Sequence, residues 1–225
     1  MKSFSHRKHE FPMQFKLKGR TIVLRPLRTT DREPLITFAR ALPADDLLFL
    51  QLDITQQAEV DGWIIEATVG NLFTIVASED QVVIGYATFD RGTVRWTRHV
   101  AELRVVVGPS ARGIGIGRLL LELVFEIALA EGVTKLIARM TPSQTVALTL
   151  FKRLGFEQEA VLRDHALGAN GRLHDLLVLS FHTRLHTEQR CDSCGIPVLA
   201  ALALDRSHLC SQCYELRYQE LGGGA

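Results

Sequence analysis

Three groups of residues in this 225-residue chain have types and spacings suited to chemistry. The first is a glycine-rich turn, Arg112-Gly113-Ile114-Gly115-Ile116-Gly117-Arg118, between a β-branched run (Leu103 to Val107) and a long apolar helix pattern. A helix start presents unpaired backbone N–H groups and the positive end of the macrodipole. Glycines let a phosphate or pyrophosphate approach that backbone closely. The second is Glu102, ten residues before Arg112. Its carboxylate can accept a proton as a general base, or pair with Arg104 on the same strand face. The third is the set of all four cysteines, Cys191, Cys194, Cys210 and Cys213. The spacing C-x2-C-x15-C-x2-C suits a closed tetrahedral zinc site of four thiolates.

The glycine turn differs from two familiar phosphate loops. Gly113, Gly115 and Gly117 are spaced G-x-G-x-G, where a dinucleotide fold needs G-x-G-x-x-G. A nucleotide P-loop ends in Gly-Lys-Ser/Thr, whereas Gly117 is followed by Arg118-Leu119. The pattern present is R-x-x-G-x-G, carried by Arg112, Gly115 and Gly117.

These residues need a strand, a turn and a helix to hold them, and the chain supplies the rest of a mixed α/β layout. Thr21 to Leu27 reads as a first strand, with Pro26 at an edge or near its end. Thr29-Thr30-Asp31 offers capping chemistry for a helix over 32–42, and Thr55 for a second over 56–68. Residues 43–53 read as a loop with an apolar middle. Strands follow over 72–78 and 82–90, joined by a tight turn at Glu79-Asp80-Gln81, and a fourth begins near Glu102. A helix over 115–131 ends at Gly132; a fifth strand over 135–140, a helix closing at Gly155 and strands over 157–167 and 172–183 complete the order. The expected fold class is α/β, with a mostly antiparallel sheet, one central parallel step and flanking helices.

Composition narrows the field. Hydrophobic residues make up 47% and charged residues 23%, ordinary for a globular protein. The net charge of +1 gives no global drive toward nucleic acid. No membrane span and no signal peptide are read, so a cytoplasmic location is expected. Residues 1–20 are locally basic, with Lys2, Arg7, Lys8, Lys16, Lys18 and Arg20 against Glu10, and read as a loosely packed arm or an anion contact.

The order of elements over residues 19–182, the R-x-x-G-x-G turn and the helix ending Leu150-Phe151-Lys152-Arg153-Leu154-Gly155-Phe156 resemble the GNAT N-acetyltransferase family. The resemblance implies that acetyl-CoA lies with its pyrophosphate on the backbone of Gly113, Ile114, Gly115, Ile116, Gly117 and Arg118, with Arg112 and Arg118 as added charge. It implies a pantetheine arm paired like an extra strand with Val105, Val106 and Val107, and a strand N–H near Val106 as oxyanion donor. It further implies an amine acceptor, protein lysine or small molecule, and Glu102 as general base, with His99 as second candidate. Gln144 stands where an Asn often contacts the cofactor, and Phe151 where many members have the Tyr that acts as general acid. Phe151 cannot donate a proton, which keeps open a second reading: an acyl-CoA-binding regulator of the same fold.

Residues 191–215 also resemble the zinc finger of the DksA/TraR family, which binds RNA polymerase. That implies a contact module for a protein partner. The organisation expected is therefore a basic arm over 1–20, an acetyltransferase-like domain over 21–183 and a structural zinc module over 184–225. Arg206 and Arg217 are isolated there, so nucleic acid is not favoured as the partner.

Overall fold

The computed structural model describes residues 10–48, 50, 52–168, 171–183, 202–204 and 207–209. The strands are β1 (Met13–Leu17), β2 (Arg20–Pro26), β3 (Leu72–Glu79), β4 (Val82–Asp90), β5 (Val100–Val107), β6 (Lys135–Met140), β7 (Glu157–Leu167) and β8 (Leu173–His182). The helices are α1 (Arg32–Arg40), α2 (Ala44–Leu48), α3 (Gln57–Val69), α4 (Ile116–Ala130) and α5 (Thr145–Arg153). The eight strands form one sheet in the order β1-β2-β3-β4-β5-β6-β8-β7. Every neighbouring pair is antiparallel except β5 and β6. This is the mostly antiparallel sheet with one parallel step that the element order predicts.

Two apolar layers sandwich the sheet. One face carries α4 and α5, whose Ile116, Leu120, Leu121, Val124, Ile127 and Phe151 pack with Leu103, Leu136 and Leu179. The other carries α1 and α3, whose Leu35, Phe38, Val60 and Trp63 pack with Val76 and Tyr86. Helix α4 is apolar around most of its circumference because it crosses the middle of the sheet. Its start follows Gly115 at φ 96, and its end is met by Gly132 at φ 81, backbone angles that favour glycine. Asp31 fixes the other face: its buried carboxylate accepts two bonds of 2.7 Å from Arg25 and a third of 2.7 Å from the Arg28 N–H. This ties the end of β2 to the start of α1.

Two expectations need correction. Residues 13–17 are not part of a loose arm but the edge strand β1, paired with β2 from Met13↔Leu24 to Leu17↔Arg20. Met13, Phe15 and Leu17 alternate half-buried with exposed Gln14 and Lys16, and Lys18-Gly19 turn the chain at φ 47 and 79. Strand β2 is therefore interior, and Pro26 is its last residue. The stretch 43–53 also holds a short helix, α2, rather than loop alone. Residues 1–9 and the four cysteines lie outside the described residues. Two short strands between the cysteine pairs, β9 (Leu202–Leu204) and β10 (Ser207–Leu209), form an antiparallel ladder of their own. Among the described residues no helix is long and apolar enough to cross a membrane.

Gly85 on β4 tests the register that fixes β5. It faces Val107, and a Cβ there would lie 2.8 Å from the Val106 carbonyl oxygen. Gly85→Ala should destabilise the fold by about 1–3 kcal/mol, the usual cost of overpacking. Urea unfolding measures this; an unchanged midpoint would contradict the strand pairing.

Candidate active site

The parallel ladder between β5 and β6 is short, joining only Val100↔Lys135, Ala101↔Leu136 and Glu102↔Ile137. The His99 carbonyl anchors it, accepting N–H bonds from Thr134 at 2.9 Å and Lys135 at 3.1 Å. Beyond Glu102, β5 continues beside β4 and β6 beside β8. An opening is left between the two strands, and β5 presents unpaired backbone to it. Which residues do so follows from the ladder. The Gly108 N–H donates to the Ile84 carbonyl on β4 at 2.9 Å, and successive residues of a strand alternate sides. Val106 therefore turns its backbone groups to β4, while Val105 and Val107 turn theirs into the opening. The Val106 N–H, near which the oxyanion donor is expected, thus faces β4 rather than the opening.

Glu102 stands where the strands part. Its side chain is 12% exposed and accepts bonds from the Arg104 guanidinium, the shorter at 2.6 Å. Arg139 of β6 reaches its other oxygen at 3.7 Å. The pairing with Arg104 is thus made, and a residue that the sequence did not single out, Arg139, joins it across the opening. These side chains occupy the α1/α3 face of the sheet, because the alternate residues Ala101, Leu103, Leu136 and Ala138 are buried in the layer under α4. Tyr86 closes that face from β4, its ring centroid 4.8 Å from Trp63 and 6.1 Å from Phe38. Burial pushes the Tyr86 phenol far above its ordinary range, an effect the Arg104 charge only partly offsets. His99 is exposed and serves the site through its carbonyl.

The glycine turn lies at the far end of the opening. Gly113 and Gly115 have φ of 74 and 96, with no atom within 4 Å of where a Cβ would stand. The start of α4 has no side-chain cap, and its first backbone bond runs from the Leu119 N–H to the Gly115 carbonyl. The N–H groups before Leu119 are therefore left for an external acceptor. Open space, left-handed glycines and uncapped donors together fit the diphosphate of acetyl-CoA. Gly117 is tighter, its Cβ position 3.3 Å from Val107 Cγ2.

Both arginines expected at the phosphates are present at the turn, and each already has a carboxylate. Arg112 bonds Asp46 of α2 and the Val107 carbonyl at 3.3 Å. Arg118 bonds Glu122, one turn along α4, at 2.6 Å. Burial pushes the Glu122 carboxyl up, and Arg118 draws it partly back. Two cations that sequence reasoning left in the arm also reach this turn. Lys18 Nζ donates to the Gly113 carbonyl and Arg20 to the Ser110 carbonyl, both at 2.8 Å. The signal was the Lys18-Gly19 turn after an alternating run.

Gln144 uses its side-chain oxygen locally, accepting from the Thr141 N–H at 2.9 Å. Phe151 is 3% exposed, and its ring meets Phe156 edge-on at 5.0 Å within the cluster of Phe125 and Phe181. It is a core residue. A separate apolar hollow of about 450 Å³ between α1, the β3–β4 turn and residues 108–110 is lined by Phe38 and touches neither Glu102, Arg104 nor Arg139.

Comparison with known proteins gives this geometry a context. A curated relative, L-amino acid N-acyltransferase MnaT of Escherichia coli (strain K12), is 33% identical over 95 residues, covering 42% of this chain and 55% of its own. The chain thus spans about half the length of that relative. A Salmonella typhimurium structure solved with its cofactor acetyl-CoA superposes with TM-score 0.63 at 22% identity, covering 77% of this chain and 99% of that one. A GNAT acetyltransferase of Streptococcus pneumoniae gives TM-score 0.63 at 22% identity, over 72% and 99%. A ribosomal-protein-alanine N-acetyltransferase of Brucella melitensis gives 0.62 at 25% identity, over 71% and 98%. The two at 22% identity share the fold. The family model described as acetyltransferase (GNAT) family matches residues 40–156, which run from the end of α1 through the opening and the glycine turn to Phe156. That match spans just over half of the chain, and the chain belongs to the GNAT acetyltransferase family.

Proposed function

We propose that the protein is an N-acetyltransferase that moves the acetyl group of acetyl-CoA directly to a primary amine. One observation carries the reading: a strand opening whose free backbone leads from a carboxylate at Glu102 to an uncapped glycine turn at the start of α4. Bound acetyl-CoA supplies an activated thioester; an uncharged amine attacks its carbonyl carbon, a C–N bond forms and the C–S bond breaks. The backbone N–H groups of residues 113–118 hold the diphosphate, and the Val107 N–H and the Val105 carbonyl pair the pantetheine arm. The Val105 N–H stabilises charge on the carbonyl oxygen. Glu102 accepts the ammonium proton, directly or through a water. With Phe151 in the core, the leaving thiolate takes its proton from solvent, and rate comes mainly from positioning.

The same burial of Phe151 is what favours a second reading, an acyl-CoA-binding regulator with little turnover. Thioester cleavage with a panel of amines separates the two.

The four-cysteine segment, 184–225, is read as a structural zinc module that docks a protein partner. The support is the thiolate spacing together with the β9–β10 ladder between the two cysteine pairs. Four thiolates leave no open position on the metal, so the module would hold shape and take no part in acetyl transfer.

Gly115→Asp, which forces a side chain and a charge into a left-handed position, should weaken acetyl-CoA binding at least about tenfold, or ~1.4 kcal/mol. Calorimetry on the folded variant checks this. Glu102→Gln should lower turnover at neutral pH by on the order of a hundredfold while acetyl-CoA still binds; near-normal turnover with the same pH profile would exclude the base role. Elemental analysis should find about one zinc per chain. A chain ended after His186 should remain folded and bind acetyl-CoA; absence of metal, or loss of that binding, would overturn the module.

A further inference from the structure

The two guanidiniums at the mouth of the opening, Arg104 and Arg139, are unequally paired with the carboxylate of Glu102. Asp90, the cross-strand neighbour of Glu102 on β4, turns one oxygen to the Gly92 N–H. Arg104 holds one oxygen of that carboxylate closely, at 2.6 Å. Arg139 stands off at 3.7 Å with its side chain 46% exposed, and among the described residues it makes no other ion pair. Beside them lies a second unmatched group. Thr88 of β4 is the direct cross-strand partner of Arg104, so the two side chains share a face. Thr88 is 7% exposed, and its hydroxyl has no hydrogen-bond partner. Buried hydroxyls are ordinarily satisfied, and one left open beside a partly exposed guanidinium marks a place for a ligand's polar atoms.

We propose that Arg104, Arg139 and Thr88 form an anion subsite that reads a carboxylate next to the acceptor amine, so that the acceptor is a free amino acid rather than a protein lysine. The proposal rests on the acetyltransferase reading above. A guanidinium recognises a carboxylate through paired N–H donors. An amino acid carries its ammonium and carboxylate within a few atoms of each other. Glu102 and Arg139 offer the complementary charges at similarly close range. Binding exchanges partners: the substrate carboxylate takes up the guanidinium, and the substrate ammonium takes up Glu102. The exchange frees Glu102 lone pairs from Arg104 only when an acceptor of the right chemistry is present. A lysine side chain offers an ammonium with no neighbouring anion, and leaves the guanidiniums where they are.

The test uses the full chain, acetyl-CoA, the common L-amino acids, the amide of each and a lysine-containing peptide, with CoA release and product mass as readouts. The amide's amine is the easier to deprotonate, so chemistry alone favours it. The subsite predicts the reverse: kcat/KM for the best acid on the order of a hundredfold above its amide and above the peptide. Arg139→Gln should reduce that ratio at least about tenfold, mainly through KM, and Arg139→Lys should recover part of it. Calorimetric titration of the best acid into the CoA-loaded protein, where no transfer can occur, should show Kd raised by a similar factor in Arg139→Gln and, to a smaller extent, in Thr88→Val. Equal use of acid and amide, preference for the peptide, or an unchanged Kd in both variants would overturn the subsite and leave the transferase standing. Acetyl-CoA binding with transfer to none of these amines would overturn both.

Discussion

The parting of β5 and β6 is the constraint on which the site depends. Three residue pairs hold the strands together, and past Glu102 each continues with a different neighbour. An interior sheet otherwise leaves no backbone unpaired, since a buried N–H or carbonyl without a partner is costly. Here the cost is tolerated because an extended ligand can complete the ladder. The opening stays wide because antiparallel pairing on both outer sides is extensive: β4 with β5 up to the Gly85↔Val107 pair, and β6 with β8 along the whole of β6. The two halves of the sheet are braced independently. Ion pairs among Glu102, Arg104 and Arg139 then bridge them at the vertex.

A division of labour follows between backbone and side chain. Contacts expected for the cofactor come from N–H groups on β5 and at the start of α4, so the side chains there are free to serve packing. Val105 and Val107 pack on the α4 layer, and Val106 on the α1/α3 layer. The side chains with chemistry lie on the other strand face, at Thr88, Glu102, Arg104 and Arg139. In the proposed reaction, cofactor and acceptor would approach through different parts of the same strand, one by its edge and one by its face.

Much of this was legible in the sequence, and the reasons are local. Gly113, Gly115 and Gly117 between a β-branched run and an apolar helix pattern announce themselves, because few other conformations use them. Strand periods, caps and turn residues mark every strand from β2 to β8 and helices α1, α3, α4 and α5, but not the short α2. What stayed hidden depends on partners distant in the chain. Arg139 looked like a polar residue on a strand until β6 lay beside Glu102. Phe151 was read as a substituted catalytic position, and its membership of the Phe125, Phe156 and Phe181 cluster required the packing. Thr88 carries no sequence signal, since an unmatched hydroxyl is defined by what fails to surround it. Strand β1 was missed because the cationic character of residues 1–20 outweighed a weak alternation in Met13, Phe15 and Leu17.

That first hairpin has a consequence for the glycine turn 95 residues further along. A peptide group is a plane: if its oxygen is held on one side, the hydrogen is committed to the other. The Lys18 ammonium grips the carbonyl of Gly113, and Arg20 grips that of Ser110, so both peptide planes near the turn are oriented from outside. Two left-handed glycines would otherwise leave these planes free to rotate, and a disordered set of amides makes a poor anion receptor. The N-terminal strand therefore works as a splint, setting the direction in which the loop's dipoles point before any phosphate arrives.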